Sequence, residues 1–114
     1  MKYEELKPLT KAQLDAALNS GDGVIIATAL IRAALHDPDR TYVESLVVKF
    51  IGHSDSRVRA SSAIAAGHLA RLHRQLSPEL VPLIKALLRD GETCGQAQDA
   101  LDDIVTFIGG NAAS

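Results

Sequence analysis

Helix-start signals and chain breakers alternate along this sequence at short intervals, and no other feature constrains its fold as strongly. Thr10 with Gln13, Thr41 with Glu44, and Thr93 with Gln96 each have Ser/Thr-x-x-Glu/Gln spacing. At this spacing two side chains can satisfy the orphan backbone N–H groups at a helix start. Ser77 before Pro78 marks a fourth start, with proline at the first helical position, where its missing N–H costs nothing. The breakers between these starts are Gly21-Asp22-Gly23, Asp37-Pro38-Asp39, Gly52-His53-Ser54-Asp55, Asp90-Gly91 and Gly109-Gly110. The punctuation predicts six helices, near 11 to 19, 24 to 35, 42 to 51, 56 to 73, 78 to 89 and 94 to 108.

Apolar spacing within these segments is helical. Val43, Leu46, Val47, Phe50 and Ile51 form one stripe, Leu80, Ile84, Leu87 and Leu88 a second, and Ala97, Leu101, Ile104 and Ile108 a third. Residues 24 to 35 are apolar nearly all round, as in a helix covered on more than one side. The apolar share is 46% but the aromatic share only 4%, so the core must be aliphatic. Short turns make consecutive helices antiparallel neighbours. The expected fold is all-α, a short solenoid of three hairpins near 11–35, 41–73 and 78–108, forming one domain over residues 1–114. Gly67 lies mid-helix, at a cost of roughly 1 kcal/mol relative to Ala. Close approach of a neighbouring helix accounts for it.

Residues 79 to 91, ELVPLIKALLRDG, resemble the first helix of a HEAT repeat, with Pro82 in its early turns. Residues 51 to 69, IGHSDSRVRASSAIAAGHL, resemble the turn and second helix, with Asp55, Val58 and Arg59 on the D-x-x-V-R pattern and small residues before Gly67. The resemblance implies that Arg59 ties adjacent repeats together. Residues 94 to 108 lack the Val-Arg pair, and the first hairpin matches only in length and periodicity, as solenoid caps often do.

The sequence contains no G-x-S-x-G elbow, no G-x-x-x-x-G-K loop and no H-E-x-x-H. His68 and His73 fall on different helical faces, no third ligand stands at metal spacing, and Cys94 is the only cysteine. Cys94 reads as a small hydrophobe and His53 as a turn residue. No catalysis, metal or cofactor is expected. No apolar run reaches a membrane span, and the acids in MKYEELKPLT do not suit a signal peptide, so a cytoplasmic protein is expected.

Two charge clusters of opposite sign remain. Arg57, Arg59, Arg71 and Arg74 lie in a stretch without acids, while Asp90, Glu92, Asp99, Asp102 and Asp103 lie in one without bases. Asp99, Asp102, Asp103 and Thr106 share one helical face, and like charges at this spacing repel by a few tenths of a kcal/mol per pair. A basic partner, internal pairing with Arg71 or Arg74, and a merely solvated face all fit that stripe. Asp99, Asp102, Asp103, Thr106, Glu92 and Arg71 are the candidate partner-binding residues.

Residues 67 to 76, GHLARLHRQL, and 99 to 107, DALDDIVTF, resemble small bacterial HEAT-like chains of toxin–immunity systems. The resemblance implies an immunity protein that occludes a cognate protein toxin, with a basic nuclease domain the kind of partner the acidic stripe suits. A free-standing chain of this size is also expected to act by binding alone. A nucleic-acid-binding protein using the four arginines is the alternative, although stacking aromatics are scarce and the acids oppose phosphate. An adaptor in a larger assembly is the third reading.

Overall fold

A computed structural model describes residues 6–109 of the chain, so Gly110 of the expected last breaker and both ends of the expected 1–114 domain lie outside the described residues. The described residues form six α-helices and no strand: α1 (Lys11–Leu18), α2 (Gly23–His36), α3 (Arg40–Phe50), α4 (Ser56–His73), α5 (Leu80–Ala86) and α6 (Cys94–Phe107). Each lies where the punctuation places it. The expected helix over 78–89 is shorter, because Ser77 and Pro78 form a turn whose carbonyls accept from Leu80 and Val81 N–H. Its last turn tightens into a 3₁₀ turn over Leu87–Arg89.

The helix starts divide into one built as expected and several that are not. At α1 the reciprocal Thr10–Gln13 bonds are both made, at 3.1 and 3.0 Å. At α3 the Thr41–Glu44 pair is absent. Asp39 caps instead, its carboxylate accepting from Tyr42 N–H at 3.1 Å, and Thr41 falls inside the helix. Asp39 stands just after Pro38, outside the helix and ahead of Thr41, so its carboxylate reaches the orphan N–H groups first. Glu44 is buried and bonds Arg40 and the Ser77 N–H, joining α3 to the turn before α5. At α6 Thr93 holds the cap position without capping. Its buried hydroxyl donates to the Leu87 carbonyl at 2.9 Å and closes off the 3₁₀ turn. Asp22 and Asp55 cap α2 and α4, which the Ser/Thr pattern does not reveal.

Helices α2, α4 and α6 form one row with α4 in the middle. The other three form a second row, α1 against α2, α3 against α4, and α5 against α6. Consecutive helices are antiparallel, giving a small solenoid-like bundle. Leu30, Val43, Val47, Val58, Leu69, Leu80, Ile84 and Ile104 are fully buried along the seam between the rows. Because α4 has neighbours on both flanks, its buried positions are mostly small: Ala60, Ser61, Ser62, Ala63, Ala65, Ala66, Gly67 and Ala70. Ser62 pairs its buried hydroxyl with the Val58 carbonyl at 2.9 Å, so it adds no unsatisfied group.

Glycine admits two close approaches. A Cβ on Gly67 would lie 3.4 Å from Ala100 Cα and 3.0 Å from an Asp103 carboxylate oxygen. At Gly23 the Asp55 carboxylate would be 1.9 Å from a Cβ, so the starts of α2 and α4 touch only because no side chain intervenes.

Candidate functional site

Two sides of α6 have different composition. Ala97, Ala100, Leu101 and Ile104 face the core, while Asp99, Asp102 and Thr106 are exposed and Asp103 is half-buried. Asp103 leans over Gly67 into a groove of about 350 Å³ between α4 and α6, lined also by Ile64, His68, Gln96, Asp99 and Ala100. Burial raises its carboxyl above the ordinary carboxylate value. Arg71 opposes that rise, and the neighbouring charges of Asp99 and Asp102 add to it. Asp102 accepts from Gln98 Nε2 at 3.0 Å.

Arg71 and Arg74 do not close ion pairs with these acids. The Arg71 guanidinium lies 3.2 Å from His68 Nδ1. Burial, helped by the Arg71 charge, holds the His68 imidazole down to about 4, so the ring is neutral near pH 7 and its Nδ1 can accept that bond. The Arg74 guanidinium sits 5.2 Å from the centre of the Phe107 ring. Among the described residues, the ion pairs are Arg40–Glu44, Arg57–Asp55 and Arg59–Asp90, and none includes Asp99, Asp102 or Asp103. Internal neutralisation is thus partial, an effect of Arg71 at a distance. The groove brings together Asp99, Asp103 and His68, and Arg71 reaches this group through His68.

Glu92 stands apart from this group. It is exposed in the turn before α6, whereas Asp103 lies in the later half of that helix. Asp90, counted with the acids in the sequence, is held by Arg59 at 2.8 Å and accepts from the Glu92 N–H. Arg59 also donates to the carbonyls of His53 and Ser54, at 2.8 and 2.9 Å, and so links the start of α4 to the turn before α6. Asp55 caps α4 and grips Arg57, which lowers its carboxyl to about 2. Val58 is fully buried, and Pro82 lies in the first turn of α5, where backbone N–H groups have no helical partner in any case.

The arginine cluster of the sequence is split. Arg57 and Arg59 lie at one end of α4 in ion pairs, and Arg71 and Arg74 lie about 18 to 25 Å further along. The neutral His68 in the groove and the Arg74–Phe107 contact were not visible in the sequence. Both depend on α6 lying beside α4. Among the described residues no group of three or more His, Cys, Asp or Glu is placed to hold a metal ion, and no helix is long and apolar enough to cross a membrane.

No protein-family model matches the chain, and no curated protein matches it. Among solved structures it is similar to a chain in the crystal structure of a CDI complex from Cupriavidus taiwanensis, with a TM-score of 0.80 and 26% sequence identity. That likeness covers 94% of this chain and 97% of the other, so the whole arrangement of helices is shared.

Proposed function

We propose that the chain is a non-catalytic, HEAT-like binding protein, and specifically an immunity protein that holds and neutralises a cognate toxin in the bacterial cytoplasm. The observation that carries this reading is the near full-length likeness to one chain of a CDI complex, CDI denoting contact-dependent inhibition. Such a complex belongs to a toxin–immunity context, and a chain that acts by binding suits the immunity side of it.

The surface proposed to meet the toxin is the α6 face with Asp99, Asp102, Asp103 and Thr106, together with Arg71 across the groove. Its acids have no ion-pair partner within the described residues. A basic surface, as on a nuclease domain, would supply the missing cations and speed encounter. The nucleic-acid reading is weaker, because two of its four arginines are already in ion pairs. The test is co-expression with the toxin domain encoded beside it. A stable one-to-one complex and loss of toxicity are expected, and purified components that fail to associate would sink the proposal.

A further inference from the structure

On the opposite flank of the molecule, residues 6–9, Leu-Lys-Pro-Leu, run without regular structure along α2 before Thr10 opens α1. Their backbone is read by side chains one helical turn apart on α2. Arg32 Nε donates to the Lys7 carbonyl at 2.7 Å, and His36 Nε2 donates to the Leu6 carbonyl. The earlier residue meets the later donor, so the segment is antiparallel to α2. Neither bond involves a side chain of the segment itself; Leu9 packs against the core, Leu6 is half-buried, and Lys7 and Pro8 are exposed.

Leu9 and Arg32 are the shared wall of two cavities, one of about 180 Å³ reaching Ala33 and Pro38, the other of about 330 Å³ reaching Ala17, Val24 and Ile25. Val24 and Ile25 are 51% and 46% exposed, large values for side chains at an apolar groove. Lifting Leu9 would merge the two cavities into one apolar trough along the Ile25, Thr28, Ala29, Arg32, Ala33, His36 stripe of α2.

We infer that α2 carries a binding site for an extended apolar peptide of the Leu-x-Pro-Leu kind, and that residues 6–9 are its displaceable resident. Consecutive carbonyls supply affinity through Arg32 and His36, and a leucine filling the place of Leu9 supplies selectivity, the division of labour of other extended-peptide sites. The tethered segment competes with any free peptide at the high effective concentration of a short linker. Weakening the tethered copy while leaving α2 intact therefore opens the site. This inference does not depend on the toxin reading or on the α6 surface.

The probe is a fluorescent peptide of residues 1–10 added to the full chain and followed by anisotropy. Leu9→Ala empties the leucine place in the tethered copy and should tighten peptide binding by about tenfold over wild type. Pro8→Gly, which loosens the segment without touching α2, should give a smaller gain on the order of threefold. Adding Arg32→Ala and His36→Ala to Leu9→Ala should abolish binding, as should alanine at the peptide's own second leucine. The inference is overturned if neither Leu9→Ala nor Pro8→Gly tightens binding, or if binding survives loss of both α2 donors. Should Leu9→Ala lose its helical circular dichroism, Pro8→Gly decides.

Discussion

At the scale of single residues, the groove between α4 and α6 makes His68 a sensor of acid. Its imidazole is held to about 4 against an ordinary 6.5. The unfolded chain therefore takes up a proton in a window where the folded chain does not. Stability is fully present above about pH 6.5 and is lost as pH falls toward 4. Asp103 shifts upward and works in the opposite sense, so a comparison of variants is needed to isolate the ring. Urea midpoints between pH 7 and 4.5 should fall for wild type and stay flatter for His68→Gln; parallel slopes would remove the histidine from the account. Arg74 is a second special residue. It ends α4 with φ at +54°, a left-handed conformation that favours glycine, while its guanidinium rests on Phe107. Relief of the backbone is worth about 1 kcal/mol, and an exposed cation–π contact about 0.5 to 1 kcal/mol. Arg74→Gly should thus leave the melting temperature unchanged or raise it by a few degrees, and a clear drop would show that the ring contact dominates.

At the scale of helices, α4 meets α6 with glycine against alanine, Gly67 on Ala100. Gly67→Ala exchanges a helix-propensity gain of roughly 1 kcal/mol for a Cβ that crowds only the movable Asp103 carboxylate, at 3.0 Å, so it should be nearly neutral. Gly67→Leu has no such outlet and meets the Ala100 backbone. A loss of about 1–3 kcal/mol is expected from chemical denaturation, and a variant as stable as wild type would mean that α6 shifts freely on α4. Helices were the level most legible in the sequence, because glycine and proline breakers act locally and the aliphatic stripes repeat at helical spacing. Caps were less legible. Thr41 and Thr93 have the right spacing, yet Asp39 lies ahead of one and the buried Leu87 carbonyl captures the other. The acidic stripe of α6 could be read from i, i+3 and i+4 spacing alone. Its relation to Arg71 and Arg74 could not, because that depends on the register of α4 against α6, set by Gly67 and Ala100 far apart in sequence.

At the scale of the molecule, the two rows and their seam make one core reaching from Leu14 on α1 to Ile104 on α6. The exposed acids contribute nothing to that core. Reversing Asp99, Asp102 and Asp103 together to lysine should therefore keep the circular dichroism spectrum, with a melting temperature equal to wild type or slightly altered by the half-buried position 103. Toxin binding should weaken by at least about 100-fold, a few kcal/mol for desolvated charge pairs across an interface. A large fall in melting temperature with binding intact would instead assign the aspartates to internal support through Arg71. The division of α6 between Ala97, Ala100, Leu101 and Ile104 on one side and Asp99, Asp102 and Thr106 on the other has an evolutionary consequence. Under the proposed toxin-binding role, mutations that retune recognition and mutations that keep the protein folded would fall on separate positions of one helix. In that role a lineage could drift in specificity, following a changing toxin, while its core positions stay fixed.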